Sequence, residues 1–281
     1  MSVIRAQSLA KRYGETNALD GFDLNVQSGR IVGLIGPNGS GKTTALKSIL
    51  GLCELDSGEL SVLDRRPASE RAALMRKVAY IADTGILPRW MRVKELIDYT
   101  EGVHPSFDRS AALRALERTD IRLNARVRTL SKGMHVQLHL ALILAIDAEL
   151  LVLDEPTLGL DILYRQQFYD AVLNDFYTEA RSILVTTHEV REIEHILTDV
   201  VFIHRGKARL AISMDELPNR YTKVTAKQAI DAGREPLHAK QTLNGFEYIF
   251  EDADRDVLEP FGVLSTPNLA ELFVAVVEER A

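Results

Sequence analysis

Short, unbroken apolar runs punctuate the chain at Ile31–Ile35 and at residues 78–82, 150–153 and 183–185. Each is too short for a core helix and reads as a strand buried on both faces. Between them lie stretches with helical spacing of apolar positions, at residues 44–53, 93–99, 111–116 and 134–146. Strand–helix alternation of this kind predicts an α/β fold. Residues 3–35 alternate strand-like stretches with turns at Gly14 and Gly21, predicting an antiparallel β layer beside the main sheet. A turn at Asp56, Ser57, Gly58 and Glu59 leads into a further strand at 60–63. From about residue 88 the pattern turns helical, and strand–helix alternation resumes through residue 212. Beyond it, 221–226 and 246–250 read as strands. Residues 268–278 read as an amphipathic helix with Leu269, Leu272, Phe273, Val276 and Val277 on its apolar side.

The loop after the first buried run carries the chemistry. Gly36, Pro37, Asn38, Gly39, Ser40, Gly41, Lys42, Thr43 and Thr44 sit between a strand and a helix, the setting of a P-loop. Its glycines let successive N–H groups turn inward on phosphate oxygens, and a side chain at Gly39 or Gly41 would obstruct that wrap. The helix N-terminus adds partial positive charge. Lys42 is placed to reach the β- and γ-phosphates, and the Thr43 hydroxyl to ligate Mg²⁺. The run at 150–153 ends in Asp154 and Glu155. At the C-terminal edge of a parallel sheet, Asp154 can hold Mg²⁺ through water and Glu155 can polarise an attacking water. The expected ligand is a nucleoside triphosphate with Mg²⁺.

Further segments resemble the ATP-binding subunits of ABC transporters. Leu130, Ser131, Lys132, Gly133, Met134 and His135 look like that family's signature motif, with Lys at the third position and Met-His where Gly-Gln is more usual. Pro156, Thr157, Leu158, Gly159, Leu160 and Asp161 are similar to its D-loop. Thr186, Thr187 and His188 stand where the family carries its switch histidine, and Tyr13 where an aromatic stacks on adenine. The resemblance covers roughly residues 1–212 and implies a P-loop NTPase core sheet with an antiparallel β layer and a helical subdomain inserted at about 88–150. Residues 213–281 are left as a small C-terminal α+β appendage that could stabilise a dimer, regulate turnover or cover the sheet. The resemblance also implies that Ser131 and Gly133 meet the γ-phosphate bound by a second ATPase subunit, that Asp161 belongs to the nucleotide-binding set, and that His188 joins Glu155 in the chemistry. That arrangement needs a head-to-tail homo- or heterodimer. The Lys-Gly-Met signature is common in subunits paired with small exporter-type permeases, which implies export.

Several positions keep two readings. The family has Gln where this chain has Asp83; its carboxylate could ligate Mg²⁺ or cap a turn with Thr84 and Gly85. Trp90 and Met91, beside Arg89 and Arg92, could line a groove for a helix of the membrane subunit or belong to a core. Arg114, Arg118 and Arg122 form a basic stripe if their helix runs that far, and such stripes are more often solvated faces. His135 and His139 have the i, i+4 spacing of metal ligands, but no carboxylate completes the pattern. The single cysteine, Cys53, excludes a disulfide within the chain and reads as a structural thiol on the apolar side of the P-loop helix, in a reducing cytoplasm. A net charge of −6 in 281 residues speaks against a nucleic-acid partner. There is no run of 18 apolar residues and no signal-peptide core. The expectation is a cytoplasmic ATPase at the inner face of the membrane, bound to a separate permease. The alternative is a soluble ABC ATPase acting on ribosomes or DNA, which usually carries two cassettes or a long coiled-coil insert.

Overall fold

The computed structural model of the chain describes residues 1–82 and 87–279. β1 (Ser2–Tyr13) and β2 (Thr16–Gln27) form a hairpin, and β3 (Ile31–Ile35) feeds through the glycine loop into α1 (Lys42–Ile49). β4 (Ser57–Val62), α2 (Pro67–Leu74) and β5 (Val78–Ile81) follow. The helical stretch is α3 (Val93–Val103), α4 (Arg109–Glu117) and α5 (Lys132–Leu144). β6 (Leu150–Asp154) leads to α6 (Ile162–Ala171), which continues as a π-helical turn over Val172–Phe176. β7 (Ser182–Thr187), the single-turn α7 (Val190–Ile193), β8 (Asp199–His204) and β9 (Lys207–Ser213) come next. The tail holds α8 (Leu217–Arg220), β10 (Tyr221–Ala226), β11 (His238–Thr242), β12 (Gly245–Glu251), α9 (Arg255–Leu258), β13 (Val263–Ser265) and α10 (Leu269–Glu279).

The central sheet has the order β5-β6-β7-β3-β8-β9, parallel except for the β8–β9 hairpin. Successive residues of its strands bury in opposite directions, as the two-residue pleat requires. Val32, Leu34, Leu150, Val152 and Leu184 pack under the antiparallel sheet β2-β1-β4 and α1. Ile31, Ile35, Leu151, Leu153, Ile183 and Val185 pack on the other face, against Phe168, Tyr169, Ile193 and the tail helix. Burial on both faces is why these strands read as continuous apolar runs.

α5 touches two cores. Leu140 joins the main core, while Leu138, Ala141 and Leu142 close a separate helical core with Val93, Leu96, Ile97 and Leu116. α10 also enters the main core, through Leu269, Leu272, Ala275 and Val276, and Phe273 sets its ring edge-on to Phe202. The tail sheet, ordered β11-β12-β10-β13, packs over a cluster of its own around Val224, Tyr248, Phe250 and Leu258. Among the described residues no helix is long and apolar enough to cross a membrane.

Some expectations need correction. The helix expected at 44–53 starts earlier and ends at Ile49, because Gly51 turns the chain at φ +65°. Cys53 therefore lies beyond α1, half-buried, with Sγ 3.1 Å from the Tyr13 hydroxyl. Trp90 and Met91 part company: Trp90 is 73% exposed, while Met91 is buried in the helical core. The basic stripe breaks because α4 stops at Glu117, leaving Arg118 as its C-cap and Arg122 in the following loop.

Candidate functional site

The three strands bearing the chemistry end side by side. β7 lies between β3 and β6, with Ile35 level with Thr187 and Asp154 level with Thr186. The glycine loop, the acidic pair and His188 therefore emerge at one edge. They enclose a cavity of about 590 Å³ lined by Asn38, Gly39, Gly41, Lys42, Thr43, Thr44, Asp154, Glu155 and His188, with Thr16 and Ala18 from the β1–β2 hairpin.

The loop is shaped by backbone conformations only glycine adopts cheaply. Gly39 and Gly41 have φ of +79° and +113°. A Cβ on Gly41 would sit 2.4 Å from the Ala18 carbonyl oxygen, whereas one on Gly39 would meet no protein atom within 4 Å. Steric closure is thus a property of Gly41, and Gly39 is needed for its turn and leaves its outer side open to a ligand. Lys42 is buried, its Nζ donating to the carbonyls of Gly36 (2.6 Å) and Pro37 (3.2 Å) and lying 3.5 Å from Glu155 Oε1. Ser40 is 3% exposed, and among the described residues its Oγ has no partner. A buried hydroxyl without a protein partner, an ammonium group and a helix N-terminus fit a polyphosphate.

Asp154 is buried at the end of β6, and Thr186 on the neighbouring strand donates its hydroxyl to Asp154 Oδ1 at 2.7 Å. Thr43 lines the same cavity. A carboxylate oxygen and a hydroxyl around phosphate oxygens are hard ligands that suit Mg²⁺. Glu155 is held at φ +46°, a costly conformation for a side-chain-bearing residue. Its Oε2 lies 2.9 Å from His188 Nδ1 and 3.4 Å from the His188 backbone nitrogen. A carboxylate only accepts, so Nδ1 carries the proton and Nε2 is left to face other partners.

The remaining predicted residues lie elsewhere. Tyr13 is 50% exposed at the end of β1; its hydroxyl sits beside Cys53 and Thr44, and the Cys53 contact, with burial next, raises its pKa. The Lys11 ammonium lies 5.6 Å from its ring centroid. Ser131 is the N-cap of α5 and accepts from the Met134 N–H at 3.2 Å, which leaves its own O–H free to donate outward. Gly133 packs against the Tyr164 ring, where a Cβ would stand 2.9 Å from ring atoms. Asp161 caps α6, accepting from the Tyr164 N–H at 3.0 Å. Ser131, Gly133 and Asp161 are not among the residues lining the P-loop cavity. Asp83, with its two readings, lies outside the described residues. His135 gives Nε2 to the Val127 carbonyl at 2.8 Å, and burial pushes His139 down to about 4, with His135 adding to the shift. Sequence reasoning named Thr186 and Thr157 only as members of the histidine and D-loop segments, without a role of their own, and passed over Arg165, Tyr169 and Glu192, which join them only in the fold.

A phosphate cradle at the C-terminal edge of a mostly parallel sheet, faced by an Asp-Glu pair, is the working end of a P-loop nucleoside triphosphatase. Comparison with known proteins narrows the class. An ABC transporter family profile matches residues 19–158. The chain is 27% identical over 95% of its length to an uncharacterised ABC transporter ATP-binding protein, YdbJ, of Bacillus subtilis, covering 86% of that protein. It is 32% identical over 73% of its length to Nod factor export ATP-binding protein I of Cupriavidus metallidurans, covering 69% of it. A solved ATP-binding subunit of an ABC transporter superposes with TM-score 0.69 at 26% identity, over 76% of this chain and 91% of that one. The chain belongs to the ABC transporter ATP-binding subunits, and it is an ATPase of that family.

Proposed function

We propose that the cavity at the end of β3, β6 and β7 binds Mg²⁺-ATP and hydrolyses its γ-phosphate, and that a second ABC ATPase subunit completes each site. The observation that carries this reading is the convergence of Lys42, Asp154, Glu155 and His188, from three different segments, on one cavity beside the glycine loop. The loop N–H groups, the α1 N-terminus and Lys42 hold the phosphates. Thr43 and Asp154 would hold Mg²⁺, which when bound neutralises charge developing on the transferred phosphoryl group. Glu155 accepts the proton of the attacking water. His188 is oriented through its Nδ1–H bond to Glu155, which holds its ring beside the γ-phosphate. Tyr13 offers its exposed ring to the base. From the partner subunit, the signature Ser131 hydroxyl and the Gly133 N–H at the start of α5 donate to that phosphate, with Asp161 at the shared boundary.

In this reading residues 1–212 are the ATPase domain, with the helical subdomain at about 88–150, and 213–281 are an appendage docked through α10. The subunit works at the inner face of the membrane on a separate permease. Export is favoured because one relative carries export in its name.

Lys42→Ala tests the site. Removing two or three charge-assisted contacts is expected to weaken ATP binding by roughly 10² or more and to abolish hydrolysis, read by calorimetry and phosphate release. Wild-type affinity in this variant would place the nucleotide elsewhere.

A further inference from the structure

The two reacting side chains leave adjacent strands, and the segments after them diverge. Glu155 is followed by residues 156–161, running to α6; His188 is followed by α7. Glu192, on α7, ties the two segments together. Its Oε2 accepts from the Thr157 hydroxyl at 3.1 Å, and its Oε1 pairs with Arg165 Nη1. Arg165 Nε in turn donates to the Leu160 carbonyl at 2.9 Å. Thr157 is 4% exposed, and its oxygen lies 3.2 Å from the hydroxyl of buried Tyr169.

The donors order this network. Thr157 has one hydroxyl proton and gives it to the carboxylate, so Tyr169 O–H must donate to Thr157. Burial pushes the Tyr169 hydroxyl up to about 12, which keeps that proton in place across the working pH range. A single carboxylate thus receives a directed hydroxyl chain on one oxygen and an Arg165 N–H on the other. Thr157 stands two residues after Glu155, and Glu192 four after His188. Glu155 keeps its φ of +46°, and such a conformation persists only where neighbouring structure over-determines it.

We propose that Glu192 is a positioning residue for hydrolysis: by pinning Thr157 and Arg165 to α7 it holds Glu155 and His188 in mutual register. The proposal rests on the assignment of those two residues to the chemistry. Glu192 acts on where the base and the histidine stand, and the nucleotide's main grip comes from β3 and α1, which the network does not touch. Loosening it therefore slows the attack without weakening the hold on ATP, and small misplacements of reacting groups are costly.

The test compares Glu192→Gln, Thr157→Val and the double variant with wild type and Glu155→Gln, in full-length protein. Glu192→Gln keeps the shape and removes the charge paired with Arg165; Thr157→Val keeps the volume and removes the donor. Either is expected to lower kcat about tenfold, with KM and the ATP dissociation constant within about twofold. The loss in the double variant should be smaller than the product of the two single losses, because both changes fall in one coupled network. Wild-type kcat in both single variants, while Glu155→Gln is inactive, would overturn the clamp and leave the site intact. Parallel losses of kcat and ATP binding would also overturn it, since they mark general loosening of the fold. Full hydrolysis by Glu155→Gln would instead overturn the underlying site assignment.

Discussion

The hydroxyl of Thr186 reaches Asp154 from the neighbouring strand, inside the sheet, and fixes one of the two carboxylate oxygens at 2.7 Å. Asp154 lines the cavity that Thr43 also lines. Groups that orient a metal-holding carboxylate matter nearly as much as the carboxylate itself. Thr186→Val keeps the buried volume and removes the bond, so the Mg²⁺ concentration for half-maximal hydrolysis should rise roughly tenfold. Binding of ATP without metal should stay as it was. A titration of rate against Mg²⁺ checks this, and superimposable curves would show that Asp154 needs no support from Thr186. Ser131 and Asp161 teach a related point about single residues. Both were expected at the nucleotide, and both also cap helices, because a short oxygen-bearing side chain that satisfies an N-terminal N–H can do so at a site's edge.

At the scale of elements, α7 has four residues yet stands at a crossroads. Glu192 ties it to the loop after Glu155, and Glu194, just past its end, accepts from the Leu269 N–H that opens α10. The tail helix is thus capped by the segment that follows His188. Glu194→Ala should cost about 1 kcal/mol, as a lost cap does, and lower the melting temperature by roughly 2–4 °C. An unchanged melting temperature would mean that the apolar face and the Asn268 and Lys223 contacts of Glu271 hold α10 without Glu194. The buried strands β3, β5, β6 and β7 were legible in the sequence because both faces are apolar, and β10, β12 and α10 because their patterns are regular. β11 escaped, since its residues are largely exposed at a sheet edge and show no alternation, and β13 is only three residues long. α5 begins two residues before its apolar pattern does, at the Ser131 cap. The P-loop and acidic pair were readable from local order alone. The Glu192 network was not, since its members are spread from 157 to 192 and meet only through contacts made in the fold.

For the whole molecule, one sheet edge gathers the glycine loop, Lys42, the acidic pair and His188, while Ser131 and Gly133 sit away from that cavity at the head of α5. A single copy therefore keeps the two sets of residues proposed to meet the nucleotide apart, which is the reason for proposing a paired subunit. The helical core and the tail each join the main core, through α5 and α10. The central claim is that Glu155 is the base acting on ATP held by Lys42. It is tested most directly by incubating Glu155→Gln with Mg²⁺-ATP, isolating the protein and identifying the nucleotide bound to it. Loss of the base should slow turnover by roughly 10² to 10⁴, so intact ATP should remain on the variant while wild type yields ADP and phosphate. ADP formed by the variant at the wild-type rate would contradict the account.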